Sequence, residues 1–93
     1  MTSTEHEKTQ RDEQARAAIS ELLARIAPGN DLDAIPPDAD LRTELDLDSM
    51  DFLGFVVGLD DKVGVAVPEE DYPKLTTMRG AVEYVASHLP GPR

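Results

Sequence analysis

The chain has 93 residues and is strongly acidic, with 19 Asp and Glu residues against 9 Lys and Arg residues and a formal net charge of −10. It contains no cysteine, which excludes disulfides, thiolate metal sites and a cysteine nucleophile from the chain itself. Such a surface repels nucleic acid and anionic membranes and attracts basic proteins, so we expect protein partners and neither nucleic acid nor membrane insertion.

The first predicted element is a helix that begins at about Thr9 and ends at Pro28-Gly29. Thr9 and Asp12 are spaced as a capping box at its start. The preceding residues, 1–8, are polar and are expected to form a flexible tail. They have no apolar signal core, which predicts a cytoplasmic protein. The helix has one apolar stripe, formed by Ala15, Ala18, Ile19, Leu22, Leu23 and Ile26.

A long loop is predicted from Gly29 to Asp48, because turn residues recur there without a helical period. Leucines recur within this loop, so we expect it to be ordered and to pack over the core. A loop of this length in a small domain is usually functional.

The second predicted helix runs from about Ser49 to Lys62. At about 100° per residue, its core-facing residues are Phe52, Val56, Leu59 and Val63, with Leu53 beside them. Its outward face holds Met50, Gly54, Val57 and Asp61, flanked by Asp51 and Gly58. Apolar residues and glycines on an outward face indicate that a partner packs closely against this helix.

Two further helices complete the predicted fold. Pro68 opens a short helical turn through Tyr72, and Thr76 or Thr77 caps a last helix. The apolar side of that last helix holds Met78, Ala81, Val82, Val85 and Leu89. The pattern predicts an all-α fold, a small four-helix bundle of three longer helices and one short helix, with the long loop between the first two. We expect the domain to span residues 9–89, followed by a tail of residues 90–93.

The acids cluster between Asp38 and Asp71, where eleven acidic residues face two basic ones. The acids do not match an EF-hand calcium-binding loop starting at Asp46. Position five of that loop, a ligand position, is Met50 here, and position six, which requires glycine, is Asp51. No Ser-His-Asp arrangement and no glycine-rich phosphate loop are found. We therefore expect no metal, no catalytic residue and no enzymatic activity.

Ser49 lies between acids at the point where the polar loop becomes the apolar helix. A serine at this position is ordinarily an N-cap. A helix N-terminus also favours negative charge, so a phosphate on this hydroxyl is well placed. The residues alone leave both interpretations open.

The motif Asp48-Ser49-Met50-Asp51, followed by an apolar helix ending in Leu59-Asp60-Asp61-Lys62, resembles the core motif of acyl carrier proteins. Residues 41–45, 65–71 and 75–85 resemble other family segments in the same order. The sequence departs from the family pattern in three places. No glycine precedes the motif, Met50 replaces a leucine, and Gly54 stands where many relatives have a glutamate.

The resemblance implies that a phosphopantetheinyl transferase moves 4′-phosphopantetheine from coenzyme A to Ser49, with Asp48 helping that enzyme to recognise the site. The thiol of the group would carry acyl intermediates as thioesters between enzymes of fatty acid, polyketide or related biosynthesis. The resemblance also implies a free-standing monomer whose partners have basic docking patches. The expected partner-binding residues are Met50, Asp51, Gly54, Val57 and Asp61.

Two alternatives stay open at this point. One is a peptidyl or aminoacyl carrier protein of a nonribosomal pathway, with the same attachment chemistry and a different cargo. The other is an unmodified acidic interaction module in which Ser49 only caps the helix. That module predicts a loss of about 1 kcal/mol of stability on Ser49→Ala.

Overall fold

The structure is a computed structural model that describes the backbone of residues 3–90 and the side chains of residues 9–90. Its elements are α1 (Ser3–Ile26), a 3₁₀ turn (Leu32–Ala34), α2 (Leu41–Glu44), α3 (Ser49–Val63), a 3₁₀ helix (Glu69–Leu75) and α4 (Met78–His88). Within the described residues, four of these helices have seven or more residues and no strand forms. The prediction of an all-α bundle with three longer helices and one short one is confirmed.

Helix α1 begins at Ser3, six residues earlier than its apolar stripe predicts. Thr9 and Asp12 therefore lie inside the helix, and the predicted capping box is wrong. The segment before Thr9 contains no glycine or proline, so it can continue the helix without any apolar residue to signal it. Residues 1–2 and 91–93 lie outside the described residues, so the flexibility of the tails stays a prediction.

The core forms where α1 packs against both α3 and α4, while the 3₁₀ helix packs against α4. Phe55 of α3 is completely buried, whereas Leu53, predicted to lie beside the core, is 42% exposed. The buried face is centred near Leu59, from which Phe55 is about 40° away and Leu53 about 120° around the helix. The largest fully buried side chains are Phe55, Ile19, Leu23, Leu41, Leu59, Leu75, Met78, Val65 and Val85.

The segment between α1 and α3 is ordered, as predicted, but it contains the 3₁₀ turn and α2, which the lack of a helical period did not predict. Hydrogen bonds attach it to the region where α4 begins. The Leu41 N–H donates to the Thr76 carbonyl at 2.7 Å, and the Arg79 N–H donates to the Pro37 carbonyl at 3.0 Å. The loop leucines Leu41, Leu45 and Leu47 are buried, so the loop packs over the core. This arrangement fixes the backbone that leads into α3.

The turn between α2 and α3 closes around Asp46, whose φ of +55° is left-handed. The Leu47 N–H donates to the Arg42 carbonyl at 2.8 Å, and the Asp46 N–H donates to the Thr43 carbonyl at 3.4 Å. This pair of bonds is a Schellman motif, in which the left-handed position is usually a glycine. Asp46 supplies that conformation here, which accounts for the missing glycine before the serine motif.

The 3₁₀ helix runs through Pro73 to Leu75, past the single turn that the sequence predicts. Thr77 caps α4, as predicted, by accepting a hydrogen bond from the Gly80 N–H at 3.0 Å. The Tyr84 hydroxyl donates to the Asp71 carboxylate at 2.8 Å and so joins α4 to the 3₁₀ helix. In the described part of the chain, no helix combines the length and the apolar character needed to cross a membrane.

Candidate functional site

Helix α3 begins at Ser49, but its N-cap is Asp48. An Asp48 carboxylate oxygen accepts a hydrogen bond from the Asp51 N–H at 2.8 Å. The Asp48 N–H donates in return to an Asp51 carboxylate oxygen at 3.3 Å, which completes a capping box. The interpretation of Ser49 as the helix cap, one of the two left open by the sequence, is therefore wrong, because Asp48 takes that position one residue earlier.

The Ser49 side chain is exposed at the first turn of α3. Among residues 9–90, no side-chain hydrogen bond involves its hydroxyl. The capping box uses the N–H groups of Asp48 and Asp51, which leaves those of Ser49 and Met50 as first-turn donors with no protein acceptor among residues 9–90. The site thus presents an accessible hydroxyl beside two backbone donors at a helix N-terminus.

A surface groove adjoins Ser49 and runs between the α2–α3 turn and the 3₁₀ helix. On one side of it the Phe52 and Tyr72 rings meet edge to face, with their centroids 6.1 Å apart. The Arg42 guanidinium lies 5.9 Å from the Phe52 centroid and donates to Asp40 at 2.9 Å. That hydrogen bond holds the pKa of the Asp40 carboxyl below its ordinary value. The groove therefore has an aromatic wall and a charged rim.

The outward face of α3 carries an apolar stripe of Met50, Leu53 and Val57, which we call the α3 stripe. These side chains are 73%, 42% and 51% exposed, respectively. Asp61 is exposed at the far end of the same face, and a Cβ atom built at Gly54 finds nothing within 4 Å. The expected partner-binding residues Met50, Gly54, Val57 and Asp61 thus lie on one exposed face of α3. Leu53, which the sequence places beside the core, is exposed on that face as well.

Two of the other residues near this face have roles inside the fold. A Cβ atom at Gly58 would lie 2.7 Å from the Leu22 Cδ2 atom, so this glycine lets α3 approach α1. The expectation that Gly58 accommodates a partner is wrong. Asp51 is half-buried and belongs to the capping box, in which its carboxylate accepts a hydrogen bond from the Asp48 N–H. Among residues 9–90, no group of three or more acids or histidines is placed to hold a metal ion.

Known proteins match most of this chain. A family described as "Phosphopantetheine attachment site" matches residues 13–85. The acyl carrier protein of Lactobacillus johnsonii is 43% identical over 58 residues, which make up 62% of this chain and 72% of that protein. The acyl carrier protein of Rubrobacter xylanophilus is 35% identical over 60 residues, 64% of this chain and 74% of that protein. That of Myxococcus xanthus is 32% identical over 75 residues, 74% of this chain and 95% of that protein.

The family match covers more than half of the chain, includes all of α3 and contains the serine motif. Proteins of this family bear a covalently attached 4′-phosphopantetheine and act as carriers, not as catalysts. The helical fold, the exposed serine at a helix N-terminus and these relatives all indicate the same family. The chain belongs to the acyl carrier protein family.

Proposed function

We propose that Ser49 is the residue to which 4′-phosphopantetheine is attached. The observation that carries this proposal is the division of tasks at the start of α3, where Asp48 caps the helix and the Ser49 hydroxyl is exposed. When bound, the group supplies a thiol that carries acyl groups as thioesters. The chain has no cysteine, so no thiol of its own competes for that cargo.

The residues around Ser49 fit a phosphate ester. The N–H groups of Ser49 and Met50 are the first-turn donors left over by the capping box, and a helix N-terminus carries partial positive charge. The exposed carboxylates of Asp46 and Asp48 would repel a free phosphate. This repulsion does not matter for a phosphate that is covalently bound to Ser49, because the bond holds the group in place whatever its affinity for the site.

Asp48 takes a second role in this proposal, in which its negative charge helps the phosphopantetheinyl transferase recognise the site. Its structural role depends only on hydrogen-bond acceptance by one oxygen. Asn caps a helix about as well as Asp. The variant Asp48→Asn therefore separates the two roles, since it keeps the cap and removes the charge.

The proposed partners are enzymes that load and use acyl groups and that approach α3 with basic patches. The α3 stripe supplies apolar contact, while Asp46 and Asp48 before it and Asp60 and Asp61 after it supply negative charge. Complementary charge of this kind speeds association and selects partners. The pathway we propose is fatty acid, polyketide or related biosynthesis. We also propose a cytoplasmic location and a monomeric state, and the net charge of −10 supports the monomer because two copies repel each other.

Intact-mass spectrometry tests this function. The wild-type chain is incubated with coenzyme A and a broad-specificity phosphopantetheinyl transferase, alongside Ser49→Ala and Asp48→Asn. We expect one group on the wild type, none on Ser49→Ala and slower addition to Asp48→Asn at unchanged stability. Addition to Ser49→Ala would overturn the proposal. Loading of the modified chain with acyl but not aminoacyl groups would then separate this function from that of a peptidyl carrier.

A further inference from the structure

The aromatic wall of the groove beside Ser49 is also an outer layer of the core. Phe52 and Leu47 line the groove, yet they are only 8% and 9% exposed and belong to the core cluster. Tyr72 lines the groove and packs against the same cluster. Each of these three side chains therefore has the groove on one side and the core on the other.

Phe52 stands between Ser49 and the core. It lies three residues after Ser49, so the two side chains are neighbours on α3. Its ring centroid is 6.1 Å from that of Tyr72 and also 6.1 Å from that of Phe55, which is completely buried. An apolar chain that is attached to Ser49 and enters the core between α3 and the 3₁₀ helix would have to displace this ring.

The aromatic wall is held from both sides. The Arg42 guanidinium lies 5.9 Å from the Phe52 centroid. On the other side, Asp71, the neighbour of Tyr72, accepts the Tyr84 hydroxyl at 2.8 Å, which attaches the 3₁₀ helix to α4. Displacement of the Phe52 ring would break its contacts with both neighbouring rings and expose a buried apolar surface to water.

We propose that Phe52 and Tyr72 close the core to the acyl group carried on Ser49, so that this group stays in the groove at the surface. This inference rests on the proposed function, since it requires that Ser49 carries the acyl group. Beyond the aromatic wall, the groove is lined by charged side chains, among them Asp46, Asp48 and Glu69. The substrate class that fits such a groove is a short or polar acyl group, because a long apolar chain favours a site that encloses it.

The test compares a short and a long acyl group on the same protein. A phosphopantetheinyl transferase that accepts acylated donors is used with acetyl-coenzyme A or octanoyl-coenzyme A, so that Ser49 receives the group already acylated. The melting temperature of the octanoyl form minus that of the acetyl form measures burial, because a chain that is buried only in the folded state stabilises that state. The difference is taken within each variant, so a loss of stability caused by the substitution itself cancels.

We expect this difference to be below about 1 °C in the wild type and at least about 5 °C in Tyr72→Ala and Phe52→Ala, where the longer chain can be buried. Leu53→Ala is the matched control and should behave as the wild type. Leu53 lines the same groove but is 42% exposed and lies outside the core cluster. If Phe52→Ala does not fold, Tyr72→Ala decides, since Tyr72 is only partly buried.

Amide chemical shifts of the same samples give an independent measurement. In the wild type, the shifts of Phe55 and Leu59, two completely buried residues of α3, should be the same in the acetyl and octanoyl forms. In Tyr72→Ala they should differ between the two forms, because the octanoyl chain then contacts the core.

The failures are distinguishable. If no transferase adds the group to the wild-type chain, the proposed function is wrong. If the group is added and the octanoyl chain shifts the Phe55 and Leu59 amides of the wild type, or stabilises the wild type as much as Tyr72→Ala, the core is open and the further inference is wrong. It is equally wrong if neither Tyr72→Ala nor Phe52→Ala responds to the length of the acyl chain, because these rings are then not the barrier.

Discussion

At the residue scale, neighbouring side chains at the start of α3 have different tasks. Asp48 accepts the Asp51 N–H and holds the helix end, while the Ser49 hydroxyl beside it is exposed. A serine that capped its own helix would accept the N–H with the oxygen that becomes esterified on modification, and an ester oxygen is a weaker acceptor than a hydroxyl. The capping box lets the site be modified without a change in the helix end.

This division predicts different stabilities for substitutions at adjacent positions. Ser49→Ala should change the free energy of unfolding by less than about 0.5 kcal/mol, as surface substitutions usually do. Asp48→Ala should lower it by about 1 kcal/mol, because the cap is lost, and Asp48→Asn should keep it. Urea unfolding of the three variants measures these values. An equal loss for Ser49→Ala and Asp48→Ala would mean that the serine does hold the helix end.

The left-handed conformation of Asp46 gives a second prediction at this scale. A residue with a Cβ atom is strained at a φ of +55°, and glycine is not. Asp46→Ala should therefore have a free energy of unfolding about 1 kcal/mol lower than that of Asp46→Gly. Thermal unfolding of the pair at neutral pH is the measurement. Equal stabilities would show that the α2–α3 turn does not depend on this conformation.

At the element scale, the sequence predicts the order of the helices well, because each has an apolar period and recognisable end signals. What it misses has physical causes. The N-terminal turns of α1 have no apolar residue to show their period, and Asp46 takes a conformation normally marked by glycine. The prediction that Leu53 lies beside the core is wrong, and the buried Phe55 is missing from the predicted core face, because the period of an apolar stripe does not determine where the stripe is centred. That centre depends on where α1 and α4 pack.

Two helical glycines provide a matched test of helix packing. Gly54→Ala should raise the free energy of unfolding by about 1 kcal/mol, because alanine favours the helix and meets no neighbour. Gly80→Ala should lower it by about 1–3 kcal/mol, since the added methyl group collides with the Lys74 carbonyl oxygen of the 3₁₀ helix. Chemical unfolding of both variants checks the signs. A stabilised Gly80→Ala protein would contradict the close packing of α4 on the 3₁₀ helix.

At the scale of the whole molecule, some basic residues pair with acids of a different element. Lys62 of α3 pairs with Glu21 of α1 at 2.8 Å, and Arg79 of α4 pairs with Asp38 of the loop at 2.7 Å. These hydrogen bonds hold the pKa values of both carboxyl groups below their ordinary values. Such exposed pairs contribute little to stability. Among residues 9–90, the acids that flank α3, namely Asp46, Asp48, Asp60 and Asp61, form no ion pair.

The buried Tyr84 predicts an alkaline limit to stability. Burial, followed by its hydrogen bond to the Asp71 carboxylate, raises the pKa of Tyr84 from 10.0 to about 12. A pKa raised by folding contributes stability that is complete below pH 10 and is lost as the pH rises towards 12. Tyr84→Phe should therefore lose less stability than wild type between pH 9 and pH 11.5. Urea unfolding of both proteins at about these two pH values measures the difference. An equal loss of stability in wild type and Tyr84→Phe would contradict the raised pKa of Tyr84.

Peptide mapping of the modified chain tests the central claim most directly. Trypsin cleavage after Arg42 and Lys62 releases residues 43–62, in which Thr43 and Ser49 are the only hydroxyl-bearing residues. Fragmentation mass spectrometry of this peptide then locates the group. We predict one 4′-phosphopantetheine on Ser49 and none on Thr43. Attachment of the group to Thr43, or to a peptide outside residues 43–62, would contradict the proposal that Ser49 is the attachment residue.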